Sequence, residues 1–263
     1  MNNSRYKIAI IASGSSGNCA YIEAAGLRLL IDAGISCRRI ENGLKSIGAD
    51  CEAIDAVFVT HEHIDHVSGL SVFAKKYHKN IYLTNGTFEG LDKKERLVNN
   101  SEINIIKQFS EISINGAAIN TFLTDHDARE PFGVSINVQG LKISYATDLG
   151  YVNKAAFEYL KNSNILVLES NYDEQMLING SYPWHLKKRI MGKRGHLSNA
   201  DSAKALRELN WDGLSHIYLA HISRENNTHQ TAADNLETVF KNERHRPLTH
   251  LSWHDRVSEC IFN

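Results

Sequence analysis

The chain has 263 residues, of which 42% are hydrophobic and three are prolines, so it is long enough to bury the core of one large α/β domain. We predict a single domain over residues 1–263. The formal net charge of −1 excludes a globally basic protein, so any attraction to phosphate has to come from a local patch.

The cysteines and the hydropathy of the chain indicate its compartment. The four cysteines show neither a C-x-x-C pair nor dense spacing, which argues against a disulfide framework or a cysteine zinc site; they are Cys19, Cys37, Cys51 and Cys260. We find no charged-then-apolar leader and no apolar run approaching ~18 residues. We therefore expect a soluble, cytoplasmic protein with reduced thiols and no membrane contact.

The first predicted strands flank a loop rich in serine and glycine. Residues 6–12 predict a strand and residues 19–23 a second one, and the loop between them contains Ser13, Ser15, Ser16 and Asn18. Such a loop can direct backbone N–H groups at an anion, although no P-loop lysine follows. A plain hairpin turn is the alternative.

A third strand is predicted over residues 27–31 and ends at Asp32, and residues 37–47 predict an amphipathic helix. From its position, Asp32 can be a turn residue or the N-cap of that helix. The next apolar run, residues 54–60, predicts a short buried strand.

The motif His-Glu-His-Ile-Asp-His at residues 61–66 follows that strand directly. In an extended segment His61 and His63 project to one side, whereas Asp65 and His66 can face a second point across a turn. Histidine suits zinc, manganese or iron, and the carboxylate suits a second, harder ion, so one loop can serve two metals. A helix is predicted from residue 67, with Asp65 and His66 near its N-terminus. A polar loop with incidental histidines is the alternative.

Further strands end at single polar residues. Residues 91–96 predict a solvated helix face without chemistry, residues 119–124 predict a strand before His126, and residues 134–146 predict a hairpin around Gln139 and Gly140 that leads to Asp148. A structural histidine is the alternative for His126, and an Asx-turn residue is the alternative for Asp148.

The following stretch is locally basic. A strand over residues 165–168 leads to Glu169, and no acidic residue lies between Glu174 and Asp201, whereas five cations do: Lys187, Lys188, Arg189, Lys193 and Arg194. This segment is either solvated surface or a contact for a phosphate backbone.

The last predicted core strand, residues 214–220, leads to His221, and a helix is predicted over residues 230–240. We interpret the remaining histidines as ordinary surface or internally satisfied residues; they are His78, His185, His216, His229, His245, His250 and His254.

The pattern His-x-His-x-Asp-His after a strand resembles the metal motif of the metallo-β-lactamase superfamily, which implies a four-layer αββα sandwich of the α/β (α+β) class. The resemblance implies that His61, His63 and His126 hold one ion, that Asp65, His66 and His221 hold another, and that Asp148 bridges the two. It also implies that Asp32 supports the ligand loop from behind and that the loop of residues 13–18 faces a phosphate. The two ions are zinc or manganese.

Four stretches, residues 12–18, 126–133, 169–199 and 221–227, resemble the YycJ family, also called WalJ or VicX. This implies a phosphodiesterase acting on nucleic acid, with DNA favoured over RNA: a 5′-to-3′ DNA exonuclease in DNA repair or maintenance, in which a metal-activated hydroxide attacks phosphorus and Asp65 is catalytic. Glu169 and His196 further resemble the ribonuclease Z pair that assists the leaving group, although His196 can instead cap the next helix. The alternatives are hydrolysis of a small phosphodiester, thioester or lactone, and a metal-stabilised binding module.

Overall fold

The computed structural model describes residues 6–92, 103–258 and 261–262, and two β-sheets form its centre. The first sheet contains β1 (Tyr6–Ala12), β2 (Cys19–Ala24), β3 (Leu27–Ile31), β4 (Ala56–Phe58), β5 (Asn80–Thr84), β6 (Ile103–Ile106) and β14 (Ile261–Phe262). The second contains β7 (Glu111–Ile114), β8 (Ala117–Leu123), β9 (Phe132–Val138), β10 (Leu141–Ala146), β11 (Ile165–Glu169), β12 (His216–Ala220) and β13 (Leu248–Leu251). The strand orders are β14-β1-β2-β3-β4-β5-β6 and β13-β12-β11-β10-β9-β8-β7.

Helices occupy the outer faces. In the described residues they are α1 (Cys37–Ser46), α2 (Ile64–Val67), α3 (Leu70–Tyr77), α4 (Asn85–Gly90), α5 (Lys154–Leu160), α6 (Glu174–Asn179), α7 (Trp184–Ile190), α8 (Asn199–Glu208) and α9 (His229–Phe240). No helix among these is both long and apolar enough to cross a membrane.

Alternation along the strands divides the buried side chains into three clusters. In β2, Ala20 and Ile22 face the second sheet, whereas Tyr21 faces the helices, as the two-residue period of a strand requires. The cluster between the sheets joins residues such as Phe58 to Ile136 across the interface. Outer clusters pack α1 and α3 on the first sheet and α5, α8 and α9 on the second. The predicted αββα sandwich is confirmed.

Strand direction brings the functional loops to one edge. β3 and β4 are parallel, and so are β10, β11 and β12. The loops after their carboxyl ends therefore meet at the same edge of the sandwich. Three residues at these strand ends have left-handed backbone, with φ of 63° at Asp32, 58° at Asp148 and 55° at His221. Left-handed backbone costs ~1–2 kcal/mol per non-glycine residue, so their surroundings hold them there.

The structure confirms most predicted elements and corrects one of them. The hairpin turns at Gln139 and Gly140, whose φ values of 48° and 81° fit a type I′ turn. The single helix predicted from residue 67 was wrong, because Asp65 and His66 lie inside the short α2 and a break separates it from α3. At the break, Gly69 donates to the carbonyl of Ala33, and a Cβ there would lie 1.9 Å from the Ile35 oxygen.

Two other predictions reach beyond the described residues. Leu91, at the start of the predicted solvated helix face, is buried at the end of α4, and residues 93–96 lie outside the described residues. Cys260 also lies outside them, whereas the other three cysteines are free and buried. The single domain over residues 1–263 stays a prediction.

Candidate metal centre

A buried carboxylate positions the histidine-rich loop. Asp32 is fully buried and accepts hydrogen bonds from the Thr60 backbone N–H at 2.8 Å and from His66 Nδ1 at 2.8 Å. The Thr60 hydroxyl lies 3.0 Å from Asp32 Oδ2 and 3.1 Å from His61 Nδ1. Asp32 does not cap α1, since Ser36 does so with its side chain. Asp32 therefore contacts the ligand loop from behind, and the supporting role that the family resemblance implies for it stays a prediction.

Three imidazoles converge at the mouth of this loop. His63 Nδ1 lies 3.1 Å from His61 Nε2 and 3.3 Å from His126 Nε2. Ligands ~2.1 Å from a tetrahedral zinc ion lie about 3.4 Å apart, so the spacing fits one ion. His126 donates its other ring N–H to the carbonyl of Gly195 at 3.1 Å, which fixes the ring. The backbone thus holds one ring of this trio in place.

A second group forms beside the first. Asp65, His66 and His221 bring one donor atom each within 4.8 Å of one another, and His61, His66 and Asp148 do the same. His221 Nε2 is buried and has no hydrogen-bond partner among the described residues, as expected of an atom aimed at a cation. The residues present therefore fit two divalent ions, with Asp148 between the groups. None of the seven histidines interpreted as ordinary belongs to these described groups.

Electrostatics at this edge favour cations. Burial alone would lower the pKa of His221, but Asp148, Asp65 and Glu169 raise it to about 10. Burial likewise opposes the charge on Asp148, yet His221, His66 and His126 hold the pKa of Asp148 well below its ordinary value. Clustered carboxylates thus demand positive charge, which protons or metal ions can supply.

Glu169 supports the second sheet's side of the centre. This fully buried carboxylate accepts from His196 Nδ1 at 2.8 Å and from His221 Nδ1 at 2.7 Å through the same oxygen. Its other oxygen accepts from the backbone N–H groups of Leu149 and Leu197. Burial alone would raise the pKa of Glu169, but His196 and His221 lower it, so Glu169 is a carboxylate. His196 does not cap α8, because Ser198 does.

A cleft of about 370 Å³ opens above these groups. Ser15 and residues 63–65 line one side, and the other is formed by Tyr182, Leu186, Arg189, Ile190, Gly195 and His196. His196 is about one-fifth exposed there, so it can reach a bound molecule.

The basic segment divides into two kinds of cation. Lys187 is buried and donates to the carbonyls of Ile178 and Gly180, both at 2.7 Å, so the expectation that it contacts phosphate was wrong. Arg194 is exposed, but its guanidinium donates to the carbonyls of His126 and Ala128 and so stabilises the backbone beside the metal centre. Lys188, Arg189 and Lys193 are exposed, and Arg189 pairs with Asp127 at the cleft.

The loop of residues 13–18 also contains both buried supporting residues and exposed residues. The hydroxyl of Ser13 accepts from the His221 backbone N–H, and the amide of Asn18 contacts Asp65 and His66, so both buried residues support the metal loops instead of facing a phosphate. Ser15 and Ser16 are exposed, and Ser15 lines the cleft.

Two supporting residues escaped the sequence analysis. Thr60 links Asp32 to two histidines, and the side-chain amide of Asn171 donates to the carbonyl of His221 at 2.7 Å. The only signal for either was its position at a strand end beside a predicted ligand or catalytic residue.

The Asp32 contacts generate a prediction about metal affinity. Asp32→Asn should weaken metal binding about 10- to 100-fold, because the amide cannot accept from both Thr60 and His66. A competition titration against a chromophoric chelator measures this. Asp55→Asn is the matched control, since Asp55 accepts from the Arg28 backbone N–H without touching the centre. Affinity within twofold of the wild type in Asp32→Asn would contradict the assigned role.

Comparisons with known proteins agree with the fold and the site. Residues 27–222 match the family model described as Beta-lactamase superfamily domain. The chain is 35% identical over 234 residues to Exodeoxyribonuclease WalJ of Streptococcus pneumoniae serotype 2, covering 88% of this chain and 87% of that protein. It is 34% identical over 241 residues to Exodeoxyribonuclease YycJ of Bacillus anthracis, covering 89% of this chain and 88% of that protein.

A solved structure supports the fold alone. The metallo-beta-lactamase fold protein YhfI from Bacillus subtilis superposes with a TM-score of 0.75 at 15% identity, covering 99% of this chain and 100% of that one. The matched superfamily domain and the His/Asp groups described above together imply the use of divalent metal. The chain therefore belongs to the metallo-β-lactamase superfamily and, within it, to the YycJ/WalJ family.

Proposed function

We propose that this chain is a two-metal DNA exonuclease that works in the 5′-to-3′ direction in DNA repair or maintenance. One observation carries the phosphodiesterase chemistry: His196 lines the cleft beside both groups of metal-ligating residues and is held by a buried carboxylate. When a phosphodiester of DNA is cleaved, the leaving group is a sugar alkoxide, which needs a proton. When a thioester is cleaved, the leaving group is a thiolate, which is stable without one. The two exodeoxyribonuclease relatives support DNA as the substrate.

The ligand assignment follows from the two groups. His61, His63 and His126 would hold one ion, Asp65, His66 and His221 would hold the other, and Asp148 would lie between them. Zinc suits the imidazole-rich set, and manganese suits the carboxylates. When bound, such ions supply Lewis acidity and lower the pKa of an attacking water.

His196 is the proposed general acid. Its Nδ1–H donates to Glu169, so the protonated imidazolium would present its Nε2–H as the proton that is given to the leaving oxygen. Because Glu169 also binds the His221 ring, Glu169→Gln would disturb a metal ligand as well. His196→Ala is therefore the cleaner variant for testing the proton transfer.

A panel of substrates tests the proposal. Protein loaded with zinc or with manganese should digest DNA labelled at its 5′ end and release labelled mononucleotides first, whereas DNA labelled at its 3′ end should keep its label until late. Chelation should abolish this digestion and added metal restore it. Chromogenic thioester, lactone and β-lactam substrates serve as comparators. Efficient hydrolysis of one of these by a protein inert on DNA would overturn the proposal.

The two-ion assignment predicts a change in stoichiometry. Asp65→Ala should lower the bound metal from about two ions per chain towards one, because the three-histidine group lacks Asp65. Elemental analysis after gel filtration measures the content. Asp50→Ala, which removes an exposed carboxylate beyond α1, should keep both ions. Unchanged stoichiometry in Asp65→Ala would remove that residue from the ligand set.

The acid assignment predicts a dependence on the leaving group. His196→Ala should retain both ions and lower turnover on DNA by ~10²–10⁴-fold. An aryl phosphodiester, whose phenolate hardly needs a proton, should escape most of that loss. The measurement is the turnover number of the wild type and of His196→Ala on each of the two substrates at saturating concentration. Equal losses would mean that His196 binds a non-bridging oxygen or only holds the loop.

A further inference from the structure

One side of α7 is apolar where it lines the cleft. Leu186 and Ile190 both line the cleft, and their separation of four positions places them on the same side of the helix. Both side chains are half-buried, so each still has apolar surface to offer. Arg189 lines the cleft too, but it pairs with Asp127, which compensates its charge. Apolar contact is therefore what this side of α7 adds to the cleft.

Ile64 lines the same cleft from the histidine-rich loop of the first sheet. It is the first residue of α2, lies between the proposed ligands His63 and Asp65, and is 65% exposed. No other large hydrophobic side chain in the described part of the chain is as exposed. A ligand that covered Ile64 would remove apolar surface from water, and this removal is favourable.

The end of α7 is packed directly against the proposed general acid. The backbone N–H of His196 donates to the carbonyl of Ile190 at 2.9 Å, and a Cβ on Gly195 would lie 2.1 Å from the same carbonyl oxygen. A nucleoside whose oxygen receives a proton from His196 therefore lies beside Ile190. On the other wall, Ile64 is adjacent in sequence to two proposed metal ligands, so both apolar walls border the reacting groups.

The cleft has room for about one nucleotide. Its volume of about 370 Å³ lies at the lower end of the range for sites that take a single small molecule. A strand can place only its end in such a space, because an internal nucleotide would bring the chain on both of its sides. The nucleoside that enters is then the terminal one, and it has to be unpaired, since a partner base would not fit beside it.

We propose that Ile64 on one wall and Leu186 and Ile190 on the other form an apolar slot that holds the unpaired terminal nucleoside of a DNA strand. This inference rests on the proposed function, since the slot presents that nucleoside to the metal centre. Apolar side chains hold a base that has left the stack by contact with its faces. Such contacts do not select one base, because every base has a face of this kind.

Binding of the terminal base can be measured separately from cleavage. Three nuclease-resistant phosphorothioate strands of equal length and charge carry an internal fluorescent label: an oligothymidylate, the same strand with an abasic residue at its 5′ end, and one with the abasic residue at its 3′ end. Each is titrated with metal-loaded protein, and anisotropy is recorded. The wild type should bind the strand that lacks the 5′ base about 5- to 20-fold more weakly than the other two, because less apolar surface is buried.

Variants on the two walls test the slot itself. Leu186→Ala and Ile64→Ala should each remove most of the preference for a 5′ base and bind the strand that lacks it as the wild type does. Leu186→Met keeps the apolar volume and should keep the preference. Metal content and melting temperature are measured for every variant. Because Leu186 and Ile64 lie on different elements, either variant decides the question if the other loses metal or stability.

Ile178 provides the matched control. It is an isoleucine in α6, is 44% exposed, and is absent from the cleft lining. Ile178→Ala should show the same preference among the three strands as the wild type.

Two results would overturn the slot. One is wild-type protein that binds all three strands equally; the other is a preference for the terminal base that persists in Leu186→Ala and in Ile64→Ala. A preference for the 3′ base that the wall variants remove would refute the proposed direction of digestion and leave the slot intact. A protein that shows the 5′ preference but fails to digest DNA would refute the proposed function alone.

Discussion

A buried carboxylate has to be satisfied by hydrogen-bond donors, and this constraint shapes both sides of the metal centre. Asp32, after β3, accepts hydrogen bonds from the Thr60 backbone N–H and from the His66 ring. Glu169, at the end of β11, gathers His196 and His221 together with two backbone N–H groups. Each sheet thus supplies one carboxylate that turns flexible strand-end loops into a fixed set of ring nitrogens. The left-handed backbone at Asp32 and His221 is tolerated because these contacts outweigh its cost.

The residues that the two sheets contribute to the centre interact electrostatically. The loop after β4, in the first sheet, contributes four residues to the metal-ligating groups, and the second sheet contributes His126, Asp148 and His221 from three separate loops. Asp148 Oδ2 lies 3.2 Å from His66 Nε2, and Asp148 Oδ1 lies 3.6 Å from His221 Nδ1, so one carboxylate faces rings from both sheets. Without cations, the carboxylates at this edge would repel one another; without carboxylates, the buried imidazoles could not hold positive charge. The core between the sheets positions these groups, and their mutual charge makes the edge a cation site.

The sequence predicted what depends on local order along the chain. Strand ends, the hairpin around Gln139 and Gly140, and the clustering of His61, His63, Asp65 and His66 all follow from neighbouring residues. The sequence did not predict contacts between residues that are far apart along the chain. Asn18 reaches Asp65 from 47 positions away, and Arg194 reaches His126 from 68, so neither partner can be identified from spacing. Lys187 looked like its basic neighbours, yet its ammonium faces the carbonyls of the turn before α7, a direction that only packing determines.

The segment from Tyr182 to His196 connects the exposed surface of α7 to the candidate metal centre. At one end it carries exposed aromatic and basic side chains, and at the other it carries His196 and the Gly195 carbonyl that accepts from His126. A Cβ at Gly195 would lie 2.1 Å from the carbonyl of Ile190, so the backbone here is packed against the end of α7 with no space to slide. A ligand that moved α7 would therefore move a metal ligand's hydrogen-bond partner as well. Since closely packed segments resist such displacement, α7 and the His126 ring are held in a fixed relation to each other. Lys187 and Arg194 both donate to backbone carbonyls, so these two cations stabilise the fixed arrangement of this segment.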